Sequence, residues 1–466
     1  MRMLFMLCFT IALLLSGRAA PAQDALPADA MARIDAAATS VLNGTGAPSA
    51  SIAIVKDGRI VYTHAYGLAR LEPKTPATPA MRYSIGSVSK QFTASALLLL
   101  AQEHKLSLDD PVGRWLPELT RAREVTVRHL LSMTSGYQDY WPQDYVMPPM
   151  LQPTTAADIL QTWARKPLDF DPGTRWQYSN TNYVIAGLIV ERITGAPLLE
   201  FLKARIFTPL GMKTVSDIDS APLGSGEPER YQRFALGPPR PAPKEGKGWL
   251  FAAGELAMTA EDLARWDVSV MQRTVLAPAS YDLLEREIQL TSGVGTHYGL
   301  GVSVGLASGR RLISHGGEVS GFTTRNDVYP DDRTAIVVYT NLDATDAPGQ
   351  LASKVADVVF GLTDPSAAAA LTAARSIVAG LQDGRIDRTR LTDNLNAYFS
   401  DQALADFKDS LKPLGPVKDI TADGHALRGG MVFRRFRIRF ESKTVSMSTF
   451  TMPDGRLEQC MVEPAE

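Results

Sequence analysis

Ser87-Val-Ser-Lys-Gln-Phe-Thr-Ala-Ser-Ala-Leu-Leu-Leu-Leu-Ala-Gln-Glu-His104 decides how the rest of this chain reads. A strand-like run ends at Ser87, and the pattern then turns helical, with Phe92, Ala96, Leu97 and Leu100 apolar on several sides. A helix apolar all round is a buried one, so this helix is expected at the centre of a domain. Lys90 follows Ser87 by three residues, and residues three apart share a helix face. That spacing brings an amine to a hydroxyl. Of all the lysines in the chain, only Lys90 has a serine three positions before it.

Strand signals lie on both sides of this helix. Residues 31–42 have helical spacing. Residues 51–56 and 59–63 then read as two strands joined by Asp57-Gly58, a dipeptide that accepts the positive φ angles of a tight hairpin. Residues 105–275 alternate helical stretches with Pro/Gly-rich loops, the clearest helices being 126–131 and 183–193. Strand patterns return at 300–304, 311–314, 323–329 and 335–340, followed by a helix at 350–360. Strands at both ends with helices between predict one antiparallel sheet built from both ends of the domain, and a helical insert beside it. The fold class is α+β.

Two further motifs follow Ser87 and Lys90. A serine hydroxyl is a weak nucleophile until a base takes its proton. A lysine at its free pKa near 10 is charged and cannot be that base, but burial disfavours the charge and lowers the pKa. The helix N-terminus adds N–H groups and partial positive charge near a developing oxyanion. Tyr178-Ser179-Asn180 leads into a helix after Asp171-Pro172-Gly173. Tyr178 can relay a proton if Lys90 lowers its pKa, and Asn180 can accept from a lysine and donate to an acyl carbonyl. Tyr339-Thr340-Asn341 has the same spacing, but it closes a β-branched run and reads as a strand end. His315-Gly316-Gly317 ends residues 311–314, expected to be an edge strand of the cleft, where glycine lets a substrate lie close to the backbone.

In this order and spacing the three motifs resemble the serine β-lactamase and penicillin-binding-protein family, in its class C-like branch, over about residues 36–363. Three other stretches are similar to members of that family: Ser314-His-Gly-Gly-Glu-Val-Ser-Gly-Phe322, His129-Leu-Leu-Ser-Met-Thr-Ser-Gly136 and Ala252-Ala-Gly-Glu255. The resemblance implies a β-lactamase/transpeptidase-like antiparallel sheet flanked by helices, with a helical subdomain. It implies acyl transfer to water through an ester on Ser87, with Lys90 and Tyr178 sharing the base and acid work. Which of the two takes the first proton stays open. Asn180 would position the acyl side, and His315 and Gly317 would line the substrate strand. The backbone N–H of Glu318 would join that of Ser87 as the oxyanion hole, where losing one donor typically costs about 100- to 1,000-fold in rate. No cofactor is implied.

One residue departs from the pattern. Many family members carry Lys-Thr-Gly where this chain has His315-Gly316-Gly317, and a fixed cation there suits a substrate carboxylate. Histidine has a free pKa near 6.5 and is mostly neutral at pH 7. Histidine at this place is similar to that of family members acting as esterases, D-aminopeptidases or amidases, so the resemblance implies a serine hydrolase of carboxylic esters, small amides or D-amino-acid peptides. A DD-carboxypeptidase or weak class C-type β-lactamase is the alternative. A penicillin-recognising or cell-wall-binding module without turnover is a second, although a pure binder has no need of both Lys90 and Tyr178. The expected partners are small-molecule ester, amide or peptide substrates and peptidoglycan fragments.

The whole chain bounds these readings. Met1-Arg2, an apolar run of 13 residues at 4–16, and Ala20-Pro21-Ala22 form the pattern of a secretory leader with cleavage after Ala22. A spanning helix needs about 20 apolar residues, so no integral span is expected and the protein is read as periplasmic or secreted. Net charge is −2, from 48 basic and 50 acidic residues, and gives no field for nucleic acid. The expected division is a leader at 1–22, a hydrolase domain at 23–364 and a small α+β domain at 366–466. In the last, helices at 371–381 and 393–407 precede strands at 431–440, 444–451 and 457–462. Arg435, Arg437 and Arg439 alternate there with Phe436, Ile438 and Phe440, a solvated face over an apolar one. Cys460, alone once Cys8 leaves with the leader, reads as a buried structural thiol. Gly301-Val-Ser303-Val-Gly305 matches a nucleophile elbow, but such an elbow needs a helix after its serine, and here another strand follows. The six histidines are too scattered for a metal site.

Overall fold

The computed structural model describes residues 26–361 and 367–465. The leader assigned to residues 1–22 lies outside the described residues. Two compact units divide the chain, the first reaching Val359 and the second starting at Phe360.

The first unit opens with helix α1 (Ala28–Thr45) and strands β1 (Ser49–Lys56), β2 (Arg59–Arg70) and β3 (Thr75–Pro76). Helices α2 (Lys90–Gln102), α3 (Val127–Leu131), α4 (Asn180–Thr194) and α5 (Ala260–Gln272) follow, among loops and shorter helical turns. Strands β4 (Ser303–Ala307), β5 (Arg310–Val319), β6 (Phe322–Tyr329) and β7 (Thr334–Thr340) and helix α6 (Ala347–Val359) complete it. The seven strands form one sheet in the order β3-β2-β1-β7-β6-β5-β4, antiparallel throughout. β1 pairs with β7, Ile52 opposite Val338, so the two ends of the unit meet at the middle of the sheet. Asp57 and Gly58 turn the first hairpin with φ of 53° and 73°.

Side chains alternate faces along a strand. All seven residues of β7, and β1 up to Val55, are nevertheless buried, so helices cover both faces of the sheet there. α1 packs with α6, and α5 packs on β1, β2 and β7. α2 is buried from Lys90 to Leu100 and packs against α4 in the main core, as an all-round apolar pattern requires.

Three strand boundaries differ from the sequence reading, the first being β2, which runs on to Arg70 rather than ending at residue 63. β4 is shifted from 300–304 to Ser303–Ala307, and its hairpin turns on Ser308-Gly309, at φ 50° and 76°. β5 also runs on through His315, Gly316 and Gly317 to Val319, because ladder hydrogen bonds to β6 need no side chain. β4 stops pairing at Ser303 opposite Ser314. β5 is therefore a sheet edge only from His315 onward, where the motif lies.

The second unit holds helices α7 (Ala367–Gln382), α8 (Asp393–Tyr398) and α9 (Asp401–Leu411) and strands β8 (Val417–Arg428), β9 (Met431–Phe440), β10 (Thr444–Thr451) and β11 (Leu457–Pro464). The single helix expected at 393–407 is two. Ser400 caps α9 by accepting from the Ala403 N–H, and buried Phe399 leaves the helical conformation with ψ 59°. The sheet has four strands rather than three, in chain order. β8 was missed because its polar, glycine-containing sequence lacks alternation and its ladder is broken by irregularities. Phe436, Ile438, Phe440, Met447 and Cys460 form the core with Val378, Leu381 and Phe399. Burial pushes the Cys460 thiol up to about 12, so it stays protonated, as a structural thiol does.

Candidate active site

Ser87 lies in a tight helical turn, Gly86–Ser89, that runs directly into α2. Strand residues Tyr83–Ser84 pair with Leu256–Met258, and the Ile85 N–H donates to the Leu256 carbonyl at 2.9 Å. That junction sets the turn against residues 252–255. Thr93 donates to the Ala252 carbonyl at 2.8 Å, and Lys90 to the Ala253 carbonyl at 2.8 Å. The turn also meets the sheet edge. Gly86 has φ 50°, in the region that favours glycine, and a Cβ there would meet the Glu318 nitrogen at 2.8 Å. A Cβ on Gly317 would overlap the Ile85 carbonyl oxygen at 2.0 Å. Thr324 on β6 donates to the same carbonyl at 3.0 Å. Glycine on both surfaces is what lets the nucleophile turn and β5 touch.

Lys90 is fully buried, and its Nζ stands 2.8 Å from each of Ser87 Oγ, Asn180 Oδ1 and the Ala253 carbonyl. Burial lowers its pKa to about 7, against the opposing charge of Asp139. Carbonyl and amide oxygens only accept hydrogen bonds. The neutral amine therefore gives its two hydrogens to Asn180 and Ala253 and turns its lone pair toward the Ser87 hydroxyl. Tyr178 hydrogen-bonds Ser87 as well, and its ring lies 5.0 Å from Nζ.

The structure overturns one expectation here. Tyr178 is not acidified by Lys90. Burial pushes its pKa well above the ordinary phenol value, with the hydrogen bond to Ser87 opposing. Of the two candidate bases, the lysine is the one near neutrality.

Asp139 was missed in the sequence. Its carboxylate accepts from the Asn180 N–H at 2.9 Å and from Asn180 Nδ2 at 3.3 Å, which fixes the amide with its oxygen toward Lys90. Burial pushes its pKa up, while its hydrogen bonds and the Lys90 charge pull it down. A lone acid in a polar loop has no signature, and only its closeness to the stretch ending at Gly136 could have drawn attention.

His315 is buried, with Nδ1 2.5 Å from the Gly316 carbonyl and Nε2 3.0 Å from the Tyr298 hydroxyl. A carbonyl cannot donate, so Nδ1 carries the hydrogen and Nε2 accepts from Tyr298. Burial, then the charges of Lys90 and Arg325, push the ring down to about 3. It is neutral at pH 7, more firmly than its free pKa requires. Tyr298, which fixes this tautomer, carries no signal in the sequence. The Glu318 side chain turns away to accept from the Ala344 N–H at 2.9 Å, leaving its backbone toward the nucleophile turn.

Ser87, Tyr178, Asn180, His315, Gly317 and Glu318 all line one cleft of about 1090 Å³, with Lys90 buried beneath it. Asp144, Asp343 and Asp346 are among the acids that line that cleft, while Arg325 is its one lysine or arginine among the described residues. Arg325 is tied by its Nε to Asp327 at 2.6 Å. The other motifs fall elsewhere. Ser303 starts β4 with no helix after it. Tyr339 is in the core, and Asn341 accepts from the Ser49 N–H and donates to the carbonyls of Ala69 and Glu229 as a structural clamp. Among the described residues, no group of three or more His, Cys, Asp or Glu is arranged to hold a metal, and no helix is long and apolar enough to cross a membrane.

The beta-lactamase family model matches residues 32–359. A D-aminopeptidase of Brucella anthropi is 30% identical over 319 residues, 68% of this chain and 60% of its own length. Penicillin-binding protein 4* of Bacillus subtilis is 28% identical over 330 residues, 67% of this chain and 72% of its own. A D-stereospecific amidohydrolase from Streptomyces sp. superimposes with a TM-score of 0.61 at 26% identity, covering 72% of this chain and 99% of that structure. The chain thus spans about three-fifths of the length of the aminopeptidase it matches.

Proposed function

This chain belongs to the beta-lactamase family, and from that premise we propose that it is a serine hydrolase cleaving small amides, D-amino-acid peptides and carboxylic esters through an acyl-enzyme on Ser87. The observation that carries this reading is Lys90, buried and brought close to half-neutral at pH 7, whose neutral form has two hydrogens committed to acceptors and its lone pair toward Ser87. Lys90 takes the serine proton as Ser87 Oγ attacks the carbonyl carbon. The backbone N–H groups of Ser87 and Glu318 receive the oxyanion, the kind of preorganised stabilisation that dominates such reactions. Tyr178 stays a neutral phenol and passes a proton from Lys90 to the departing amine or alcohol. Water then attacks the Ser87 ester with Lys90 again acting as base, and Lys90 returns that proton to Ser87 Oγ as the acyl–oxygen bond breaks and the acid is released. Asn180, aligned by Asp139, holds Lys90 and presents Nδ2 to the acyl side.

Charge selects among substrates. His315 offers no cation, and Asp144, Asp343 and Asp346 outnumber Arg325 in the cleft, so substrates without a carboxylate beside the scissile bond are favoured. The names of the relatives point the same way, to D-aminoacyl amides and peptides. Arg325 supports the second reading, a DD-carboxypeptidase or weak β-lactamase, because it alone could meet a leaving-group carboxylate. The leader pattern supports export, with peptidoglycan-derived peptides as accessible substrates.

Hydrolysis of p-nitrophenyl butyrate, D-phenylalanine p-nitroanilide and nitrocefin by the mature protein and by Ser87→Ala tests this. We expect turnover of the ester and the anilide that vanishes in the variant, with slow nitrocefin cleavage. Rapid nitrocefin turnover would favour the second reading. Activity surviving in Ser87→Ala would overturn both.

A further inference from the structure

The second unit lies beyond the matched family region, and its sheet has one face packed on α7, α8 and α9 and one face without such cover. On β9, Phe436, Ile438 and Phe440 enter the core, while Arg435, Arg437 and Arg439 are exposed. Alternate residues on a strand stand about 6.8 Å apart, so the three arginines leave one face of the strand in a row roughly 14 Å long. None of the three makes an ion pair among the described residues, although Arg385, Lys412, Lys418 and Arg456 of the same unit do. Three like charges in line repel one another, and a solvated face does not require them.

The neighbouring strand gives the row a character. On β10, Thr444, Ser446 and Ser448 stand opposite Arg439, Arg437 and Arg435, so a line of hydroxyls runs beside the line of guanidinium groups. At one end Phe433 faces Phe450 across the strands, ring centroids 5.1 Å apart, with the Arg435 guanidinium 5.9 Å from the Phe433 ring. Both rings are half-buried and leave an apolar platform at the end of the row. Asp419 stands opposite Arg439 and Glu463 opposite Ser446. These carboxylates confine the positive strip to the middle of the face and oppose a densely charged phosphate polymer.

We infer that this face binds an acidic polysaccharide, with sugar carboxylates on the forks of Arg435, Arg437 and Arg439, sugar hydroxyls on Thr444, Ser446 and Ser448, and a pyranose ring on Phe433 and Phe450. The planar guanidinium fork matches a carboxylate bidentately, and a sparse, hydroxyl-rich polyanion fits both the modest excess of charge and the aromatic platform. The inference does not depend on the activity proposed for Ser87. It gives the second unit a task of its own, holding the protein on an acidic glycan.

Affinity electrophoresis of the mature full chain through gels containing polygalacturonate, neutral dextran or single-stranded DNA tests it. Retardation by polygalacturonate alone is expected. It should weaken at least about tenfold in the triple variant Arg435→Gln/Arg437→Gln/Arg439→Gln, the loss of three modest exposed contacts, and should fall as salt screens the charges. Phe450→Ser should weaken retention a few-fold while leaving its salt dependence unchanged, which a merely electrostatic surface would not show. Unaltered melting of both variants is the control for folding. No retardation by polygalacturonate, retardation unchanged in the triple variant, or stronger retention by DNA would overturn the inference.

Discussion

Lys90 and Asp267 are both fully buried ionisable groups of the first unit, and the fold treats them oppositely. Lys90 begins α2 and meets three oxygens, one of which is a hydroxyl whose proton can move. Asp267 on α5 accepts from Asn326 Nδ2 at 3.0 Å, and beyond that bond Asp267 Oδ2 and Asn326 Oδ1 have no hydrogen-bond partner among the described residues. Burial drives both toward neutrality, Lys90 down to about 7 and Asp267 up to about 8. A protonated Asp267 carries the hydrogen on Oδ2 that Asn326 Oδ1 lacks, so its neutral state closes a reciprocal acid–amide pair. Neutral Lys90 instead keeps a lone pair beside Ser87. The same desolvation produces a structural clamp where every atom finds a partner, and a base where one lone pair is left for chemistry.

The largest expected effect comes from removing the chemical member of this comparison. Lys90→Ala should lower kcat/KM for p-nitrophenyl butyrate by about 100- to 10,000-fold, the usual worth of a positioned general base. Melting should stay close to the wild type, since taking away a buried amine also removes its desolvation cost. Near-normal acylation of Ser87 by mass spectrometry would sink the assignment of Lys90 as base.

Next in size is the structural member. An unfolded aspartate titrates near 3.9, while Asp267 in the fold is pushed up to about 8 by burial, with the Asp327 charge adding to it and the Asn326 hydrogen bond opposing. The folded state thus holds its proton more tightly. The stability from this group is full below pH 4 and is lost as pH rises toward about 8. Asp267→Asn replaces the O–H with an N–H and keeps the reciprocal pair at every pH. It should unfold at higher temperature than the wild type at pH 8, by the equivalent of about 1–3 kcal/mol, and flatten the decline between pH 5 and 8. A variant less stable than the wild type at pH 8 would show that the pair is not neutral there.

The contrast also marks what the sequence could and could not disclose. Lys90 was legible because a serine at a fixed helical offset is a local pattern, and α2, α4, the Asp57-Gly58 hairpin and the C-terminal strands are local patterns too. Asp267 joins Asn326 across 59 residues, Tyr298 joins His315 across a hairpin, and Asp139 reaches Asn180 from a loop. No spacing rule links such pairs, since the topology alone brings them together. The same limit produced the error over Tyr178, because its pKa is set mainly by burial, a property of the assembled cleft rather than of its motif. β8 escaped for a different reason, since its irregular ladder leaves no two-residue period to read.

The smallest effect sharpens the comparison most, because it moves the base without removing it. Lys90 must be neutral to take the Ser87 proton, so kcat/KM should rise with pH through about 7, with no contribution from His315, which titrates near 3. The Asp139 charge holds the Lys90 pKa up against burial. Asp139→Asn keeps an oxygen for the Asn180 N–H and loses that charge, so the ascending limb should move to lower pH, by less than about one unit for a single partly screened charge. The rate on the plateau should fall only a few-fold, through poorer alignment of the Asn180 amide. A limb displaced upward would mean that Asp139 acts mainly by holding Asn180 against Lys90, and that its charge is screened from the amine. An unmoved limb would mean that the titrating group behind the profile is not Lys90.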